Sequence, residues 1–271
     1  MKRGLFYQLG TMPTFTTQRS LTLGYTDQGH GPAVTFLHPF PLDSRAWASQ
    51  VQLLAPEHRV IAVDFPGFGL SPPPAGPVTL ASMAAGVAGL LRELRIFKTS
   101  VVGLSMGGYI ALELAAQEPA LLSRLVLADT RAGADTKEGA AGRERFAARA
   151  EKDGVGWIAD EMLPKLLHPD PEPDIAREVA SLIARATPAG VAAAQRAMAA
   201  RADHGPTLEK LQLPVLVLVG GEDVLTPPAE SVRMVERLPR GRLELLPGAG
   251  HLSNLEEEDL FNRALVSFVT G

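Results

Sequence analysis

Gly103-Leu104-Ser105-Met106-Gly107 sets one hydroxyl between two glycines, after the β-branched pair Val101 and Val102 and before an apolar run with helical spacing. A serine hydroxyl is a weak nucleophile at neutral pH. It needs a base within hydrogen-bond reach and a third group that orients the base. Gly-x-Ser-x-Gly between a strand and a helix describes a turn sharp enough to hold the serine on a strained backbone, where side chains at the flanking positions would strike neighbouring strands. The same turn opens a helix, whose free N–H groups and dipole favour an oxyanion, so the Met106 amide is one candidate donor. The plainer reading is a glycine-rich turn whose serine only caps the helix; partners elsewhere in the chain decide against it.

Six histidines are available as the base. His30 falls in the hairpin-like Asp27–Pro32 stretch, His58 in a loop before a strand, and His168 and His204 in a helical region; each reads as solvated surface. His38 reads as a brace for its own loop. His251 differs, because it follows the last strand pattern in Pro247–Leu252 and leads into the final helix, the chain order expected for the base of such a site. For the third member, Gly220–Pro227 follows the penultimate strand at the sheet edge where open α/β sheets place their ligands. Asp223 is preferred there over Glu222. Asp129, which ends the strand after the serine helix, is a competing acid, and Asp64 reads as structural, ordering the turn from Phe65 to Gly69.

A second oxyanion donor should come from the loop after an early strand, His38–Asp43. Pro39 has no N–H, so Phe40 is the natural donor, and Pro41 biases it toward an extended backbone. The Phe40 ring, with Met106, Trp157, Met162 and Leu166, could form an apolar pocket. Arg131, just past a strand end, is a candidate cation for a substrate carboxylate, although a solvated arginine is an equal reading.

These side chains need a frame. Short β-rich runs begin at Ser20, Ala33, Arg59, Ser100 and Arg124 and return at Pro214 and Arg242. Several are continuously apolar, as strands covered on both faces must be, which predicts a mostly parallel sheet with right-handed crossovers. Thr79 can cap a helix with Met83, Val87, Leu90, Leu91 and Leu94 on one face, and Leu260, Phe261, Ala264, Leu265 and Phe268 mark a closing helix. From Arg131 to Thr207 the strand signal gives way to alanine-rich helices punctuated by Pro164, Pro169, Pro171, Pro173 and Pro188. The expected organisation is one α/β core, residues 1–130 and 208–271, with residues 131–207 inserted as a helical cap.

Composition narrows the chemistry. The chain of 271 residues carries a formal charge of −4, which offers no broad cationic face to nucleic acid or anionic lipid. It contains no cysteine, which removes disulfides and thiolate chemistry. Met1–Gly10 has no apolar core of the length a secretory signal needs, so cytoplasm is the default expectation. The absence of HExxH, and of the third glycine after Gly67-Phe68-Gly69, implies neither metal nor dinucleotide cofactor and disfavours a two-domain Rossmann-type binding protein.

Taken together, the His38 loop, Asp64–Ser71, the Ser105 elbow, the turn from Asp223 and Gly248–Glu256 resemble the α/β-hydrolase superfamily over essentially the whole chain, and most of all its carboxylesterase and 3-oxoadipate enol-lactonase-like members. The resemblance implies Ser105 as nucleophile, His251 as base, Asp223 as acid, and the Phe40 and Met106 amides as oxyanion hole; Pro39 departs from the commoner glycine. It implies hydrolysis of a small ester or lactone through an acyl-enzyme, without cofactor. Carbon–carbon bond hydrolysis by the same residues, and a slow-turnover sensor of small ligands on the same fold, are the competing expectations.

Overall fold

The computed structural model describes residues 13–17 and 21–271; Met1–Gly10 and Ser20 lie outside the described residues. In chain order the strands are β1 (Thr14–Thr16), β2 (Thr22–Gln28), β3 (Ala33–Leu37), β4 (Arg59–Asp64), β5 (Thr99–Leu104), β6 (Leu122–Ala128), β7 (Val215–Gly220) and β8 (Gly241–Leu246). The helices are α1 (Ala48–Leu54), α2 (Leu80–Glu93), α3 (Met106–Gln117), α4 (Lys137–Asp153), α5 (Ile158–Leu166), α6 (Pro173–Ile183), α7 (Pro188–Ala199), α8 (Gly205–Lys210), α9 (Pro228–Glu236), α10 (Ser253–Glu256) and α11 (Glu258–Thr270).

One sheet runs in the order β1-β2-β4-β3-β5-β6-β7-β8. It is parallel from β4 to β8 and antiparallel at β1 and β2. Every residue of β5 and of β7 is buried. Such strands have no solvated face, and their continuous apolar runs follow from being covered on both sides. Around the sheet α2 packs against α3 and α1 against α11.

The hairpin-like turn at Asp27–Pro32 does not join paired strands. β2 pairs with β4, which lies between β2 and β3. The reason is burial: Val34, Phe36 and Leu37 of β3 are no more than 1% exposed, so β3 needs neighbours on both edges and takes β4 and β5. Arg59 meets Asp27 at 2.6 Å across the β2–β4 pair. β1, three residues long, is too short to show a period in sequence.

Local signals hold where the backbone chemistry is explicit. Thr79 Oγ1 accepts the Ser82 N–H and Ser82 Oγ accepts the Thr79 N–H, both at 3.0 Å, closing a capping box at the start of α2. Pro173 and Pro188 sit in the first turns of α6 and α7, where a missing N–H is harmless. Pro164 instead lies inside α5, near its end, and does not separate helices. The stripe Ile175, Val179, Leu182 and Ile183 on α6 is buried as its spacing requires.

Helices α4 to α7 all fall between β6 and β7, with α4 packed on α7, and α8 spans residue 207 before the chain re-enters the sheet. The Thr187 N–H at the head of α7 donates to the Gly67 carbonyl at 2.9 Å, tying this helical segment to the turn after β4. That turn is ordered by Asp64, which accepts the N–H groups of Ser44 at 2.7 Å and Leu70 at 2.9 Å, as its structural reading anticipates. The loops after β3, β5, β6, β7 and β8 open at the carboxyl ends of parallel strands and bring Phe40, Ser105, Asp129, Asp223 and His251 to one edge of the sheet.

Candidate active site

Ser105 lies between the last residue of β5 and the first of α3, with φ 54° and ψ −114°. A positive φ costs a non-glycine residue free energy, and the surroundings must hold it there. A Cβ at Gly103 would lie 2.3 Å from the Gly107 carbonyl oxygen, and one at Gly107 would lie 2.0 Å from that of Leu37. The two glycines are therefore the condition for the turn to fit between strands. Ser105 is pinned from β6: its N–H donates to the Ala128 carbonyl at 2.9 Å, and its carbonyl accepts the Thr130 hydroxyl at 2.8 Å.

Ser105 Oγ lies 2.8 Å from His251 Nε2, and His251 Nδ1 lies 2.8 Å from Asp223 Oδ2. Asp223 is further held by the N–H groups of Leu225 at 2.8 Å and Thr226 at 2.9 Å, and by the Thr226 hydroxyl at 2.5 Å. Burial on its own would raise this carboxyl. The imidazole beside it and the Thr226 hydrogen bonds outweigh burial, and the group is held below the usual carboxylate range. An anionic Asp223 accepts Nδ1–H, which leaves Nε2 as the acceptor facing the serine hydroxyl.

The other candidate acids and histidines separate in space. Glu222 is exposed. Asp129 is fully buried and accepts hydrogen bonds from Gly220 and Ser253; none joins it to His251. Burial first, and the Asp223 charge next, push its carboxyl well above the ordinary value. His38 braces its loop: Nε2 accepts the Phe65 N–H at 3.0 Å, Nδ1–H donates to the Pro39 carbonyl at 2.9 Å, and the ring packs on Phe65 and Phe68. Burial lowers its pKa and keeps it neutral.

Two of the histidines read as surface residues are buried. His58 is 5% exposed under the end of α1, and His204 is 7% exposed, with Nδ1 3.1 Å from Thr207 Oγ1 and Nε2 3.2 Å from Glu113 on α3. Loop composition hid this, because α8 folds back over α3. His30 is exposed and His168 half-buried, its Nδ1 accepting the Asp170 N–H at 3.0 Å.

Ser105 and His251 open on a cavity of about 660 Å³ whose walls include Phe40, Arg131, Trp157 and Met162, four of the six pocket residues expected from sequence. Met106 and Leu166 do not line it. The Met106 side chain is buried in α3, and Leu166 faces the core while its carbonyl accepts the N–H groups of His251 and Leu252. Sequence reading missed Phe146, whose ring bridges Phe40 at 5.9 Å and Trp157 at 4.6 Å. The signal was present: Phe146 is the one large apolar residue in the charged, alanine-rich α4. Thr226 was missed too, because loop threonines carry no periodic signature.

The rim is cationic, with Arg131, Arg143, Arg145, Arg149 and Lys165 against Glu161. Arg149 stacks on Trp157 at 3.8 Å. Arg131 donates to the Leu225 carbonyl and makes no ion pair with any described carboxylate. Among the described residues no group of three or more histidine, cysteine or acidic side chains is arranged to hold a metal, and no helix is long and apolar enough to cross a membrane. The Phe40 N–H has no acceptor among the described residues, and the Met106 N–H, at the first position of α3, has no partner within its helix.

Residues 36–264 match the family model described as the alpha/beta hydrolase family. The chain belongs to the alpha/beta hydrolase family. The match spans both flanks of the helical segment, so the elbow, the Asp223 turn and the His251 loop all fall inside it.

Among alpha/beta hydrolases, the chain is 30% identical to 3-oxoadipate enol-lactonase 2 of Acinetobacter baylyi, over 94% of this chain and 97% of the relative. In three dimensions it resembles a thermophilic esterase from Thermogutta terrifontis, solved with malate bound, at TM-score 0.91 and 37% identity, covering 96% of this chain and 97% of that one. It resembles the enol-lactonase from Burkholderia xenovorans LB400 at TM-score 0.88 and 29% identity, covering 96% and 100%. Together these relatives support a hydrolase.

Proposed function

We propose that this alpha/beta hydrolase is a serine hydrolase that cleaves a small carboxylic ester or lactone through an acyl-enzyme. The observation that carries the reading is the hydrogen-bonded chain Ser105–His251–Asp223, 2.8 Å at each link, at the wall of a cavity. In this mechanism Ser105 Oγ attacks the carbonyl carbon while its proton passes to His251 Nε2. The negative oxygen of the tetrahedral intermediate is met by the Phe40 and Met106 amides, and Asp223 offsets the charge on the imidazolium. Collapse breaks the bond to the alcohol, which leaves with the proton from His251. Water, deprotonated by the same nitrogen, then releases the acid and returns the proton to Ser105.

Residues 131–207 act here as a cap that shapes the cavity from above, with Phe146, Trp157 and Met162 as its apolar wall. The volume suits a small molecule. The reaction needs neither metal nor organic cofactor, nucleic acid nor membrane, and its setting is the cytoplasm.

A second substrate reading, a lactone or ester that also bears a carboxylate, is favoured by Arg131, a cation beside the reacting residues with no carboxylate partner among those described. The esterase relative was solved with malate, itself a dicarboxylate, and two relatives are enol-lactonases.

The test is a series of p-nitrophenyl esters of graded chain length together with a fluorophosphonate probe. Turnover above ~1 s⁻¹ on a short ester, and labelling lost in Ser105→Ala, are expected. Labelling at another residue would move the nucleophile, and a slow single burst would favour the sensor.

A further inference from the structure

We infer that Asp129 is a positioning residue: its buried carboxyl group fastens the loop that carries Asp223 to the loop that carries His251. The inference rests on the reading of Ser105, His251 and Asp223 as the reacting set.

Asp129 is the first residue past β6 and has no solvent exposure. Its Oδ1 accepts the N–H of Gly220 at 2.8 Å. Gly220 ends β7, three residues before Asp223. Its Oδ2 accepts the hydroxyl of Ser253, two residues after His251, and the Ser253 N–H also donates to the carboxyl group. The Asp129 N–H donates to the Leu218 carbonyl at 2.9 Å, so the residue is anchored on the same strand it holds. The acid and base loops also meet through Glu222 N–H and the Ala249 carbonyl at 2.9 Å. Donors therefore converge on Asp129 from both loops, and only a forked acceptor on a short stem serves both from the end of β6.

The backbone supports a dedicated role. Asp129 has φ 43°, one of three positive values among described non-glycine residues, Ser105 being another. Strain of this kind persists where the surroundings over-determine it, and it clusters at functional sites. Burial and the nearby Asp223 charge favour the neutral carboxyl. Asp223, which touches the imidazole, supplies the charge that orients it, and Asp129, which does not, supplies geometry.

The experiment compares the wild type with Asp129→Ala, Asp129→Asn and Ser253→Ala on one short p-nitrophenyl ester, with circular dichroism as the check on folding and the rate of fluorophosphonate labelling as an independent reading of Ser105 activation. Since a displacement of ~1 Å at a reacting group costs ~10²-fold, Asp129→Ala should lose about that factor in kcat and in labelling rate, with KM changed less than about threefold. Asp129→Asn keeps the stem and one acceptor oxygen but sets an NH2 donor where the second oxygen stood, so it should lose no more than the alanine variant, and Ser253→Ala should lose about three- to tenfold. A folded Asp129→Ala with kcat and labelling rate within about twofold of wild type would overturn the inference. Should the alanine variant not fold, Ser253→Ala at wild-type kcat overturns it. A wild type that neither turns over nor labels at Ser105 would instead overturn the hydrolase reading, and this inference with it.

Discussion

The main-chain N–H of His251 donates to the carbonyl of Leu166 at 3.0 Å, and the next N–H, that of Leu252, reaches the same oxygen at 3.1 Å. Leu166 ends α5, so the helical segment over the cavity is bonded to the backbone of the histidine itself. Glu256 doubles the tie by accepting the N–H groups of His168 and Gly250. A helix that shapes the cavity therefore also sets where the imidazole stands.

Glu256→Ala should loosen both ends of that tie. Losing these hydrogen bonds costs about 0.5–1.5 kcal/mol each, so a fall in kcat of about tenfold with a rise in KM is expected, with Glu256→Gln intermediate. Steady-state kinetics and hydrogen-exchange protection of the His251 loop measure it. Unchanged exchange in the alanine variant would argue against the coupling.

Ser105→Gly should abolish ester hydrolysis and yet make the protein more stable. Glycine adopts φ 54° without the penalty serine bears. Relief of about 1 kcal/mol of strain raises Tm by roughly 2–4 °C in a chain of this size class. Calorimetry on both proteins decides it, and a lower Tm in the glycine variant would mean that the lost hydrogen bond to His251 and the freer unfolded chain outweigh the strain.

Arg131→Gln should narrow the choice between substrates. If Arg131 meets a substrate carboxylate, the ratio of kcat/KM for a half-ester of a dicarboxylic acid to that for its neutral diester falls about tenfold, the effect of roughly 1.4 kcal/mol. A ratio that does not move would return Arg131 to its purely structural contact with the Leu225 carbonyl.

Asp129 should mark the pH dependence of stability. Its carboxyl is raised well above 3.8 in the folded chain, by burial first and the Asp223 charge second. The folded state thus binds a proton that the unfolded state has released, and stability falls as pH rises. The contribution is fully present below 3.8 and is lost as pH climbs through the folded-state value. Asp223, held low, has the opposite sign and loses its contribution only as pH falls through its depressed value. Asp129→Asn has no proton to release there, so its Tm relative to wild type should increase between acidic and neutral pH. A constant difference would show that Asp129 does not titrate in that range.

Much of this molecule is legible one residue at a time. Val215–Gly220 must be a covered strand because nothing in it tolerates water, and Thr79 must begin a helix because its hydroxyl can serve the Ser82 N–H. Gly103 and Gly107 mark a close approach, since any side chain there would meet backbone. Such features are local, and local chemistry dictates them before any partner is in place.

Other features depend on which distant segments meet. Nothing within Asp27–Pro32 announces that β4 will come between β2 and β3; the choice belongs to the sheet, which encloses the buried β3 between β4 and β5. Two acids, Asp129 and Asp223, stand at the ends of adjacent strands, and only packing decided that Asp223 would meet His251 while Asp129 would be buried against Gly220 and Ser253. His204 reads as surface until α8 lays it on Glu113. The sequence by itself determined the elements and the kinds of group at their ends, because torsional preference and burial act within a few residues. Tertiary structure alone decided which of those groups touch, because a hydrogen bond forms or fails over a fraction of an ångström, a distance on which only the assembled sheet has a say.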